Sequence, residues 1–311
     1  MHRLVPAAAI LLAAVAARAE DLPYCKQGNA AQQAGNYDLA IADYGRCLSE
    51  GQLSVENQAR YLYNRGLTYF ILLQLDRAIA DYDAAIKLEP DSAEALTNRG
   101  NAYMGRGQYD RAIADYDAAI SLKPDAAITF INRGNVYAIS GQTDRAITDF
   151  DAAIRLEPGN AAAFLDRGLA YGRKDQYDRA IADYDAAISL QPDLAIAFNN
   201  RCVAQAILGR MAQAVSDCDR ALQLSPDNAA FLDSRGEAFL RGHDYARAVA
   251  DYDAAIKLSA AQGVGHASSY FGRGIAYSRL GKPDLAEQDF RRALALDPKI
   301  EAELGKTGLT R

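Results

Sequence analysis

Residues 93–126 read AEALTNRGNAYMGRGQYDRAIADYDAAISLKPDA, and most of the chain is a variation on this stretch. Prolines at Pro90, Pro124, Pro158, Pro192 and Pro226 stand 34 residues apart, and the segment Tyr109 to Ile120 returns unchanged as Tyr177 to Ile188. A fixed spacing of this size marks a stacked array, because one such unit cannot bury its apolar face without neighbours.

Within the unit, two amphipathic segments flank a short polar turn. Leu96, Gly100 and Tyr103 fall on one face of the first segment, and Ala112, Ile113, Tyr116, Ala119 and Ile120 on one face of the second, at helical spacing. Gly105, Gly107 and Gln108 supply the turn, and Pro124 stops the second helix because it has no N–H for the ladder. The unit is therefore predicted to be a helical hairpin. Small residues at Gly100, Ala112 and Ala119 let its helices approach, and Leu96, Tyr103 and Tyr116 fill the space between hairpins.

Counted from Ala93 as position 1, positions 4, 8, 11, 20, 24, 27 and 32 hold Leu96, Gly100, Tyr103, Ala112, Tyr116, Ala119 and Pro124. In these residues the unit resembles the tetratricopeptide repeat. The departure is at position 7, where that family has Leu and this chain has Arg65, Arg99, Arg133, Arg167, Arg201, Arg235 and Arg273. The resemblance implies an all-α fold, a right-handed α-solenoid or superhelix of about eight hairpins. Repeats are expected to start near residues 21, 59, 93, 127, 161, 195, 229 and 267, forming one array over 20–300 with a tail at 301–311. Two junctions, Leu48 to Gln58 and Ser259 to His266, carry extra residues and are expected to be loops. The short tail is expected to cap the last hairpin poorly, leaving apolar surface open to self-association.

Met1 to Ala19 stands outside the repeats. His2 and Arg3 precede an apolar run from Leu4 to Ala17, and Ala17-Arg18-Ala19 has the form of a processing site, so 1–19 reads as a secretory signal peptide. Retention as an anchor is the alternative, and the run is shorter than the roughly 20 residues a spanning helix needs. The expected location is periplasmic or secreted, with no membrane insertion after cleavage. The chain has 34 basic and 40 acidic residues, a net charge of −6. That balance argues against nucleic acid as a partner.

The four cysteines lack the close pairing of metal sites. Cys25 and Cys47 fall on the two helices of the first hairpin, and Cys202 and Cys218 on those of the sixth. In an oxidising compartment each pair could bridge its hairpin; four buried thiols are the other reading. The recurrent arginines need countercharge if buried. Asp recurs at position 23, as in Asp81, Asp115 and Asp149, and at position 25, as in Asp83 and Asp117. Pairing is expected between an arginine and the aspartates of the preceding repeat, with pairing inside one repeat also compatible with the count.

No glycine-rich phosphate loop, nucleophile elbow or zinc-helix motif occurs, and no catalytic constellation can be assembled. The reading is a non-enzyme without cofactor, metal or catalytic residues. By the resemblance, the first helices line a concave groove at positions 2, 5, 6, 9, 12 and 13. There stand Asn64, Asn98, Asn132 and Asn200, then Asn101 and Asn135, with Tyr63, Leu67, Phe70, Leu165, Leu169 and Val203 between them. A row of amides can hold an extended backbone, donating to C=O and accepting from N–H. The expected function is an exported scaffold or adaptor that binds a peptide segment or partner protein in that groove. A small-molecule or glycan-binding module of the cell envelope is the alternative.

Overall fold

The computed structural model describes residues 23–50, 53–263 and 265–311, so the leader at 1–19 and the start of the first repeat at Asp21 lie outside the described residues. Seventeen α-helices occur among the described residues, in two compact units that meet in sequence at Pro158 and Gly159. The first unit holds α1 (Pro23–Gln33), α2 (Tyr37–Ser49), α3 (Val55–Ile71), α4 (Leu75–Leu88), α5 (Ala93–Gly105), α6 (Tyr109–Leu122), α7 (Ala127–Ile139) and α8 (Thr143–Leu156). The second holds α9 (Ala161–Gly172), α10 (Tyr177–Leu190), α11 (Ala195–Ile207), α12 (Met211–Leu224), α13 (Ala229–Arg241), α14 (Tyr245–Ala261), α15 (Ala267–Arg279), α16 (Pro283–Leu296) and α17 (Ile300–Gly305). Each consecutive pair up to α16 is a hairpin, and the architecture is an α-solenoid of such hairpins.

Local chemistry sets the boundaries. The Ser92 hydroxyl accepts from the Ala95 N–H at 3.3 Å and so caps α5. At its other end Gly107 takes φ +71°, which lets Gln108 N–H reach Tyr103 C=O and Gly107 N–H reach Met104 C=O. This double closure satisfies two carbonyls that the helix end would leave open. Asp110 then sits in the first turn of α6, where the helix dipole favours an anion.

The core of each hairpin is a ring laid against a missing side chain. A Cβ at Gly100 would lie 2.7 Å from the Tyr116 ring, and Gly134 stands likewise over Phe150 and Gly168 over Tyr184. The sixth hairpin replaces this contact with a bond: Cys202 takes the glycine position and Cys218 the ring position, and the two form a disulfide.

The junctions and the tail differ from expectation. Position 32 of the seventh repeat is Ala260 instead of proline, so α14 runs on to Ala261 and much of the extra sequence is helix. Likewise α3 starts at Val55, where the Ser54 hydroxyl accepts from Asn57 N–H. The tail is a better cap than expected. Ile300 and Leu309 are buried in one core with Phe271 and Phe290, and the Arg311 guanidinium lies 4.7 Å from the Phe290 ring centre.

Candidate functional site

The recurrent arginines are held by two aspartates with different duties. Arg99 donates from Nε and Nη2 to both oxygens of Asp115 at 2.8 and 2.6 Å, and from Nη1 to Asp83 at 2.6 Å. The fork inside one repeat recurs at Arg65 with Asp81, Arg133 with Asp149, Arg167 with Asp183, Arg201 with Asp217, Arg235 with Asp251 and Arg273 with Asp289. The reach to the preceding repeat recurs at Arg133, Arg201, Arg235 and Arg273. The expectation of pairing mainly with the preceding repeat is therefore corrected. The bidentate partner is in the same repeat, because position 23 faces position 7 across the hairpin while position 25 points to the following one. Asp115 has 9% side-chain exposure and Asp83 51%, so the first bond is the costly one to break and the second is largely screened. The hydrogen bonds it donates to Asp115 hold the Arg99 guanidinium above its usual range, which keeps the pair ionised.

The ladder is spent on the fold and leaves no arginine row for an acidic ligand. Arg65 is the variant: its Nη1 lies where a Cβ on Gly45 would be 3.8 Å away, since position 25 of the first repeat is glycine. The other cysteine pair, Cys25 and Cys47, is joined within the first hairpin with Cα atoms 5.0 Å apart.

The first-helix amides are the larger surprise. Asn98 Nδ2 donates to the Tyr63 hydroxyl at 2.7 Å, Asn132 Nδ2 donates to Asn101 Oδ1 at 2.9 Å, and the Tyr116 hydroxyl donates to the same oxygen at 2.7 Å. Asn64 Nδ2 similarly donates to Asn29 Oδ1 at 3.2 Å. Asn64, Asn98, Asn101 and Asn132 are buried, as are Leu67 and Phe70. The row of free, solvent-facing amides expected from sequence is absent here, because Asn64, Asn98 and Asn132 each find a polar partner on the first helix of the preceding hairpin. Burial pushes the Tyr63 phenol up to about 12, so it keeps its proton and its bond to Asn98 across ordinary pH. Tyr82 shows the rule by exception: Leu67 stands where Asn101 stands for Tyr116, and the Tyr82 hydroxyl is buried without a partner. Asn135 is half-buried, and the ring set against its hairpin, Phe150, has no hydroxyl to offer.

In the second unit Leu165 and Val203 are half-buried, and Leu169 and Ile196 are each 39% exposed. Asn200 is half-buried beside Asn199, whose Nδ2 reaches Asn200 Oδ1 at 3.5 Å. Asn199 Oδ1 and Asn200 Nδ2 have no partner, nor has Gln205 Oε1. Asn199 was not singled out by the sequence pattern. For its neighbour Asn200 a signal was present, since Leu165 and Leu169 stand at positions 5 and 9 of the preceding first helix, where Tyr63 and Asn101 stand for Asn98 and Asn132.

A cavity of about 230 Å³ opens between α5 and α7 in the first unit. Thr97, Asn98, Ile128 and Thr129 line it, with Glu94 and Lys123, 3.2 Å apart, at its edge. The Thr97 and Thr129 hydroxyls are bonded at 3.2 Å. In the second unit His266 lies 3.7 Å from Asp233, which holds the imidazole above its usual range. Among the described residues no group of His, Cys, Asp and Glu could hold a metal ion, and no helix is long and apolar enough to cross a membrane.

A TPR repeat model matches residues 66–105, 100–141 and 134–175. Tetratricopeptide repeat models match 23–50, 165–229 and 267–300, so the matches together span well over half the chain. Among solved structures the chain is similar to a tetratricopeptide repeat protein from Parabacteroides merdae, at 18% identity and TM-score 0.63, covering 87% of this chain and 97% of that one. It is also similar to the type IV pilus biogenesis factor PilW, at 20% identity and TM-score 0.59, covering 68% and 98%. The MamA protein is similar at 25% identity and TM-score 0.50, covering 54% and 92%. These likenesses show the fold. No curated protein matches the chain. The repeat matches, the hairpins and the ring-on-glycine cores agree, and the chain belongs to the tetratricopeptide repeat family.

Proposed function

We propose that the protein is an exported scaffold that binds a segment of another protein along its first-helix face. The observation that carries this reading is the cavity between α5 and α7. It has the volume of one or two side chains, and its lining mixes an apolar floor with hydroxyls and an amide, the composition that suits a protein side chain flanked by main chain. The two disulfides support an oxidising compartment, in keeping with the leader at 1–19. The reading is that of an interaction protein and not an enzyme.

A photo-crosslinking residue at Ile128 in the cavity, compared with one at exposed Ala118 on α6, tests this in the exported fraction. Ile128 is expected to join to a discrete polypeptide and Ala118 to none. Equal labelling from both positions, or none from Ile128, contradicts the proposal.

A further inference from the structure

We propose that the cavity between α5 and α7 takes the side chain of a lysine or arginine from the partner segment, and that Lys123 stands in for it in the free chain. This rests on reading that cavity as the place where a segment binds, and it names the class of residue that enters. Charge is the first argument. The lining holds three carboxylates, Glu94, Asp125 and Glu157, against one ammonium, Lys123, a formal balance of −2. Helix ends do not alter it. The helices α5 and α7 begin at the cavity while α6 and α8 finish there, at Lys123 and Glu157, so two positive ends of about half a charge meet two negative ends of the same size.

The side chains of the lining are also poor in donors. The Thr97 hydroxyl donates to Ala93 C=O at 2.8 Å, so Thr129 is the donor in the 3.2 Å bond between the two threonines, and both hydroxyl protons are spent. Asn98 Nδ2 donates to Tyr63. What the hydroxyls still offer is lone pairs, and ammonium and guanidinium groups, which are donors without an acceptor, match them. The floor suits the rest of such a side chain: Ala127 and Ile128 give methyl surface for an aliphatic stem, with the exposed Asp125 and Glu157 near its charged head. Lys123 already makes the contact, donating from Nζ to Glu94 at 3.2 Å. The two side chains are 48% and 37% exposed. A pair so open is weakly held in water, and a partner's cation can replace it.

The test selects displayed dodecapeptides on the full chain at low salt and titrates one selected peptide. The selected peptides are expected to share one lysine or arginine. Norleucine at that place keeps the aliphatic stem, drops the charge and is expected to weaken wild-type binding about tenfold, a comparison that needs no variant protein. Glu94→Gln is expected to weaken the parent peptide about threefold and Lys123→Gln to tighten it about threefold, the scale of an exposed ion pair. Asp284→Asn on α16, exposed and in the other unit, removes the same charge as Glu94→Gln and is expected to leave the affinity unchanged. Full binding of the norleucine peptide, no tightening in Lys123→Gln, equal effects of Asp284→Asn and Glu94→Gln, or a selection that yields no peptide would overturn the inference. Ile128→Trp fills the cavity and separates the two readings. If it abolishes binding at an unchanged melting temperature while the norleucine peptide binds fully to wild type, the basic side chain is wrong and the cavity stands. If Ile128→Trp binds the parent peptide as wild type does, both are wrong.

Discussion

In α5 and α7, Asn98, Asn101 and Asn132 close on one another and on Tyr63 and Tyr116, whereas in α11 Asn199 and Asn200 close only on each other. The residue type and repeat positions are nearly the same. What differs is the preceding helix: tyrosine or asparagine in one case, leucine in the other. An amide at position 6 is thus bonded or left without a full set of partners according to a residue about 31 to 35 places earlier. The same rule separates Tyr116, bonded to Asn101, from Tyr82, which faces Leu67 and has no partner.

The Arg–Asp ladder runs through both regions alike and sets a baseline for the comparison. Asp115→Ala and Asp217→Ala each remove the two-pronged partner of an arginine and leave it only the exposed Asp83 or Asp185, and each is expected to cost about 3 kcal/mol in chemical denaturation. Asp117→Ala removes only the exposed bond to Arg133, with an expected cost of about 0–1 kcal/mol. Equal effects of Asp115 and Asp117 would break the division of labour between the two positions.

Reduction of Cys202–Cys218 comes next. It opens a loop with a sequence separation of 16, worth roughly 3 kcal/mol by chain entropy, and the loss should appear as faster hydrogen exchange in α11 and α12 while α5 to α7 are unchanged. Smaller again is the tyrosine pair. Tyr116→Phe is expected to cost about 1 kcal/mol and Tyr82→Phe nothing, or to yield a slight gain, because only the first hydroxyl is bonded. If both cost the same in a melting series, the partner rule fails.

The smallest effect is at His266. Its folded-state pKa is raised above the ordinary 6.5 by Asp233, so its stabilising contribution is fully present below about pH 6.5 and is lost as pH rises through the folded value. Stability near α13 and α15 should therefore fall modestly above about pH 6.5 in wild type, and less so in Asp233→Asn.

Much of this was legible in the sequence. The 34-residue spacing, the proline stops and the small residues opposite Tyr116 are local or periodic facts, and they fixed the hairpins. The ladder was legible as composition and not as geometry, since positions 23 and 25 both carry aspartate and only the helix pitch decides which faces Arg99 squarely. The helical extension of α14 follows from Ala260 standing in place of proline, a local signal outweighed in the reading by the expectation of loops at insertions. The fate of the amides was the least legible part. It depends on pairs of residues in different hairpins, Asn132 with Asn101 and Asn200 with Leu169, and a reading that takes each helix alone cannot separate a bonded amide from a spare one.

Equivalent asparagines are tied into a hydrogen-bond network in α7 and left with one long bond in α11. Asn132→Leu and Asn200→Leu, close in volume, measured side by side by chemical denaturation with hydrogen exchange read on α7 and α11, test it most directly. The account predicts a loss of about 1 kcal/mol for Asn132→Leu, which removes a 2.9 Å bond to Asn101, and little or no loss for Asn200→Leu, which removes only the 3.5 Å bond from Asn199. A comparable loss in both, with α11 exchanging faster in Asn200→Leu, would contradict it.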